Sequence, residues 1–86
     1  MNKREYLVSI GLEDAVCIDG PSFDDAIIGT SSDDRVVYSY SKMIDCLMAN
    51  DDMTYEEAVE FIDYNTIRSL PYIENAPIVM YDLIED

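Results

Sequence analysis

Apolar residues recur at Tyr55, Ala58, Val59 and Ile62, the i, i+3, i+4, i+7 spacing that forms one stripe along a helix. Phe61 borders that stripe. On the same wheel Glu56, Glu57, Glu60 and Asp63 fall on the opposite side, so this helix is expected to turn one face to a core and a wall of carboxylates to solvent. Its start is signalled by Thr54 and Glu57, which fit the capping box of a hydroxyl at the cap and a glutamate reaching back to the cap amide. Asn65 is read as the stop, because asparagine tolerates the left-handed conformation that follows many last turns. Beyond it Pro71 blocks further helix and disfavours helical geometry at Leu70.

The helical period also holds over 40–50, where Met43, Ile44, Leu47 and Met48 group together and Lys42 and Asp45 lie outside. The link 50–53 is short, which makes the two helices antiparallel neighbours in a helical hairpin. A first, short helix is expected over 3–10, with Asn2 as its cap, Glu5 three residues on and Gly11 just past the end. Tyr6, Leu7 and Ile10 give it an apolar side, while Lys3 and Arg4 in its first turn are read as solvated charges, with a contact to nearby acids as the alternative. Strands are expected at 15–18, ended by Asp19, Gly20 and Pro21, and at 26–30, 35–39 and 77–81. Ser31, Ser32, Asp33 and Asp34 suit a type I turn that makes 26–30 and 35–39 a hairpin. The expected architecture is α+β: a small two-layer domain in which a three- or four-stranded, mainly antiparallel sheet carries the helical hairpin on one face, with a short N-terminal helix. A chain of 86 residues has room for one such domain, spanning 1–86.

Charge changes this picture. Five basic residues against nineteen acidic ones leave a formal net charge of −14, which disfavours direct contact with nucleic acid or an anionic membrane and favours a basic protein partner. Seven carboxylates and no lysine or arginine lie between Asp45 and Asp63, so the predicted helical hairpin concentrates the excess. No apolar run approaches the about 18 residues that span a bilayer, and MNKREYLVSIG lacks a signal peptide's apolar region, so a cytosolic protein is expected. Cys17 and Cys46 are far apart in sequence and read as reduced core thiols.

Chemistry beyond charge is sparse. The chain has no histidine, phosphate-binding glycine loop, nucleophile elbow or metal-ligand spacing, so no catalytic residue, cofactor or metal is expected and the protein reads as a non-enzyme. Asp24, Asp25, Asp33 and Asp34 lack the alternating donors and central glycine of a calcium loop and read as turn acids. The candidate partner-binding residues are therefore Glu56, Glu57, Glu60 and Asp63 with Tyr64 and Arg68 beside them. Arg68 is either a two-pronged clamp for an anion or a structural partner of Asp63 or another acid. Tyr64 is either an exposed aromatic anchor or a ring packed along the hairpin.

The run from Asp52 to Tyr72, with EEAVEFIDYNTIRSLPY at its centre, resembles a family of short uncharacterised proteins from bacteriophages and mobile elements of anaerobic gut bacteria, and PSFDDAIIG and RVVYSYSKMI are similar to it too. The chain departs from that family's pattern at Asp52, where the family has a glycine. The resemblance brings no activity; it implies a phage or prophage gene expressed in bacterial cytoplasm. A host protein with a basic surface is then the expected partner, and DNA-mimicking inhibitors of bacterial defence are similar in size and acidity. Self-association of a structural or regulatory accessory domain, through Tyr and Met residues, is the alternative.

Overall fold

Val36–Ser39 forms the central strand β2 of a three-stranded sheet, and the rest of the chain is placed by what flanks it. In the computed structural model residues 3–18 and 23–83 are described. Helix α1 spans Lys3–Ser9, strand β1 Ile27–Thr30, helix α2 Tyr40–Asn50, helix α3 Tyr55–Phe61 and strand β3 Ile78–Met80. The α+β architecture is as the patterning predicts. The sheet is mixed rather than mainly antiparallel: β1 pairs antiparallel with β2, and β3 pairs parallel with β2 on its other side.

The hairpin forms where branched residues and a turn sequence adjoin. Asp34 N donates to Ser31 O at 3.0 Å and Ser31 N to Arg35 O at 2.8 Å, while Asp34 takes the left-handed conformation, φ 63°, that lets the loop close. Register runs Ile27 to Tyr38, Gly29 to Val37 and Thr30 to Val36, with Ile28 as the extra residue of a bulge. Residues 15–18, expected as a strand, belong to no ladder. Instead Ile18 N donates to the Tyr38 hydroxyl at 3.0 Å, giving that buried phenol the partner its burial demands. The turn residues Asp19, Gly20 and Pro21 and the cap Asn2 lie outside the described residues.

Strand β2 runs into α2 without a loop, because Ser39 ends the one and caps the other: its side chain accepts from Lys42 N. Met43, Ile44, Cys46 and Leu47 bury one side of α2, while Met48, expected among them, is exposed. The core gathers these with Leu7, Phe23, Ala26, Ile27, Val36, Tyr38, Ala58 and Ile62, and half-buried Cys17 packs against it. Helix α1 sends in only Leu7; Tyr6 and Ile10 are exposed. Its end matches the reading of Gly11, which takes φ 85° while Leu12 N donates to Leu7 O and Gly11 N to Val8 O, the Schellman arrangement.

Lys3 and Arg4 are not simply solvated; Arg4 makes the alternative contact to an acid, and Lys3 binds backbone carbonyls. Arg4 Nε lies 2.8 and 2.9 Å from the two Asp24 carboxylate oxygens, and Lys3 Nζ donates to the carbonyls of Asp25 and Ile27. Together they tie α1 to the 3-10 turn Asp24–Ala26 and to the start of β1.

Asp52 follows the last turn of α2 with φ 52°, a conformation that costs a residue with a Cβ and costs glycine nothing. Asp52→Gly is expected to raise stability by about 0.5–1 kcal/mol and Asp52→Ala to lower it. Asp52→Asn serves as the control for lost charge. Thermal melts of the three variants check this; a lower melting temperature for the glycine variant would remove backbone strain as the explanation.

Candidate functional site

Helix α3 starts as the capping box predicts. Glu57 N donates to Thr54 Oγ1 at 3.2 Å and Thr54 N to Glu57 Oε1 at 3.0 Å, and hydrogen bonding by the Thr54 backbone N–H, then by its hydroxyl, holds the Glu57 carboxyl below its usual range. Glu57 therefore secures the helix as well as contributing charge. Its expected stop is overturned. The chain passes Asn65 in a π turn, Ile62–Thr66, and continues as a 3-10 turn, Ile67–Tyr72, that contains Pro71. Asn65 instead donates its side-chain amide to Phe61 O at 3.1 Å. The physical reason lies inside the fold: continuing the turn keeps Ile62 and Thr66 buried, and that burial outweighs the local preference of asparagine for a stop.

Of the predicted site residues, Glu56, Glu57, Glu60, Asp63, Tyr64 and Arg68 are all exposed and share α3 and its continuation. They divide by partner. Asp63 accepts a hydrogen bond from the Tyr40 hydroxyl at 3.1 Å, which draws it toward α2. Arg68 lies over the Tyr64 ring, 5.6 Å from its centroid, and among the described residues it forms no ion pair. Neither sequence reading of Arg68 anticipated that stacking. Tyr64 is 65% exposed, so its ring is not packed away along the hairpin. Glu56 and Glu60 make no hydrogen bond or ion pair among the described residues.

The ion pairs among the described residues, Arg4 with Asp24 and Arg35 with Asp33, both precede α2 in the sequence. The seven carboxylates from Asp45 to Asp63 are thus left without a salt-bridge partner among the described residues. Averaged over 5,916 Å² of surface, fourteen net charges give one per about 420 Å², against one per roughly 100 Å² for the cylinder of duplex DNA. The acids are denser along 51–63, which holds Asp51, Asp52, Glu56, Glu57, Glu60 and Asp63 and no lysine or arginine.

Beside this face the structure brings together residues that sequence spacing did not. Tyr55, expected in the core stripe, is 60% exposed, because it sits at the first position of α3 where the helix leaves the core; Ala58 and Ile62 carry the burial instead. With Tyr40 and Tyr81 it lines a hollow of about 220 Å³ that also touches Ser41, Ile44, Asp45 and Asp82. The rings of Tyr40 and Tyr81 stand 4.8 Å apart, tilted by 42°. Asp82 is fixed there: Ser39 Oγ lies 2.7 and 2.8 Å from its two oxygens and Ser41 N donates to it at 3.2 Å, contacts that hold its carboxyl below the ordinary range. The one sequence trace of this hollow is the Ser-x-Ser at Ser39 and Ser41, which provides two donors at a helix start.

Burial pushes the Tyr40 phenol up to about 12, helped by its bond to Asp63, and burial pushes Tyr38 up to about 12 as well. Both shifts favour the neutral phenol of the folded state over the ordinary value of about 10. Their stabilisation is complete below pH of about 10 and lost as pH climbs through about 12. A spectrophotometric titration should therefore show two of the seven tyrosines ionising late, together with unfolding. All seven ionising together while the fold persists would contradict the burial of Tyr38 and the partial burial of Tyr40.

No group of three or more metal-ligating side chains occurs among the described residues, and no helix there is long and apolar enough to cross a membrane. Comparison with protein-family models, curated proteins and solved structures gives no match to the chain.

Proposed function

We propose that this protein acts by binding rather than by catalysis, presenting the acidic face of α3 and its continuation to a basic surface of a host protein. The observation that supports this is the exposed run of carboxylates from Asp45 to Asp63, which no lysine or arginine of the described chain neutralises by an ion pair. Tyr64, exposed beside Glu60 and backed by Arg68, adds an aromatic anchor of the type enriched at binding hot spots. The encounter we propose is with a host protein in bacterial cytoplasm, as the resemblance to phage and mobile-element proteins implies. A partner that itself binds nucleic acid fits best, since its surface already recognises closely spaced negative charge.

The test is a pull-down from a bacterial host lysate with the wild-type chain and with a Glu56→Lys, Glu60→Lys bait. The expected result is a basic, nucleic-acid-binding protein that moderate salt releases and that the reversed bait does not retain. Equal retention by both baits would remove the acidic face from the account.

A second reading, self-association, is favoured by one observation. Tyr6, Ile10 and Ile28 are exposed around a groove of about 360 Å³ between α1 and the edge strand β1. Recovery of the bait alone, with a mass in solution above the monomer, would support that reading over the first.

A further inference from the structure

We propose that the hollow walled by Tyr40, Tyr55 and Tyr81 is a receptor for an arginine side chain of the protein partner. This rests on the reading of that partner as basic and names the residue type it inserts.

Three features of the hollow select its occupant. Aromatic faces attract a cation through the ring quadrupole, and here three tyrosines from three separate segments converge on one space. Carboxylates add the matching charge: Asp82 lines one side, and Asp45 lines another with no hydrogen bond or ion pair among the described residues. Lys42, three residues before Asp45, does not take the position, since no ion pair joins them. An anion would be repelled by this lining. A purely apolar group would gain the ring contacts but leave Asp45 to be desolvated without a partner.

The side of the hollow formed by Tyr40, Tyr81 and Asp82 is also held in place before any ligand arrives. Tyr40 is anchored through its hydroxyl to Asp63, its ring leans on Tyr81, Asp82 is fixed by Ser39 and Ser41, and the floor is the buried Ile44. Ordering on binding then falls chiefly on Tyr55 and Asp45. A volume of about 220 Å³ suits one long side chain rather than a helix or a strand.

Arginine fits better than lysine for two reasons. Its flat guanidinium can lie against a ring while its edge forks to Asp45, whereas an ammonium acts as a point charge. It is also more weakly hydrated, so it enters a half-open hollow at smaller cost. The same chemistry occurs within the chain, where the Arg68 guanidinium lies over Tyr64.

The test is a nuclear magnetic resonance titration of the 15N-labelled chain with an acetylated, amidated Gly-Gly-Arg-Gly-Gly peptide, against versions with lysine and with neutral citrulline in place of arginine. Saturable shifts are expected at the amides of Ser41, Ile44, Asp45, Tyr55 and Asp82 with the arginine peptide, weaker ones with lysine and none with citrulline. Asp45→Asn and Tyr55→Ala should each weaken the arginine peptide about fivefold, as loss of one cation contact at a partly exposed site does. Both positions are exposed, so the spectra should otherwise stay unchanged; Tyr81→Ala, also exposed, replaces Tyr55→Ala if the start of α3 is disturbed. Equal binding of the citrulline peptide, or unchanged affinity in the variants, overturns the proposal. So do shifts centred on Glu56 and Glu60 alone, although the acidic face would then survive as the binding surface. Capture of no basic protein by the wild-type chain counts against that broader reading, whatever the peptide does in the hollow.

Discussion

Phe23→Ala is expected to remove about 3–5 kcal/mol of stability, the range for truncating a fully buried ring. Phe23 is 1% exposed and packs in the single core with Ala26, Ile27 and Leu47. A domain of this length has roughly 4–13 kcal/mol of stability in total, so the loss takes a large share and can leave the chain unfolded at body temperature. Urea denaturation should show the midpoint fall sharply with the slope unchanged. A loss below about 1 kcal/mol would mean that the cavity collapses around the missing ring and that the core is looser than its burial indicates.

The largest functional effect is expected from Glu56→Lys together with Glu60→Lys. Both side chains are exposed and unpaired among the described residues, so reversing them changes the field of α3 by four charges without touching the core. Association with the basic partner should slow about tenfold at low ionic strength and lose much of its salt dependence, since charge at the rim acts on encounter. Stability should change by less than about 1 kcal/mol, chiefly through the first turn of the helix. Tyr64→Ala should speed dissociation instead, because an aromatic anchor acts through burial. Glu57 is left out of the double variant because its carboxylate accepts from Thr54 N, and reversing it would confound binding with loss of the cap. Surface plasmon resonance decides the matter. Unchanged association for the double variant, with impaired binding for Asp33→Lys and Asp34→Lys, would move the site to the β1–β2 turn.

What could be read from the sequence divides along a physical line. The capping box at Thr54, the helical stripes of α2 and α3, the hairpin and the glycine stop of α1 are short-range features, set by residues within a few positions of one another, and the structure has them. The direction of β3 has no such local code, because it depends on how two helices carry the chain from one strand to the next. Asn65 carried a genuine stop signal that tertiary burial of Ile62 and Thr66 overruled. Tyr55 obeyed the helical period, yet a stripe says which side a residue faces and not whether the core extends that far. The acidic face was legible because Glu56, Glu57 and Glu60 lie on α3 and Asp63 in the turn that continues it. The tyrosine hollow was not, since Tyr40, Tyr55 and Tyr81 come from α2, α3 and the residue after β3.

The parallel pairing of β3 with β2 bears on how the molecule assembles. Val37 and Ile78 are register partners 41 positions apart, whereas the hairpin joins β1 to β2 across a tight turn. Closing the longer loop costs about 3 kcal/mol of chain entropy before any β3 contact repays it, so the hairpin and helices are expected to form first and the last strand to dock on a nearly finished scaffold. Contacts made by Ile78 and Val79 would then be absent at the rate-limiting barrier. Truncating either to alanine should hasten unfolding and leave the refolding rate almost unchanged in stopped-flow measurements, and a slowed refolding limb would place β3 in the nucleus instead. The strand that completes the sheet would act as its latch, setting how long the folded molecule lasts rather than how fast it is made.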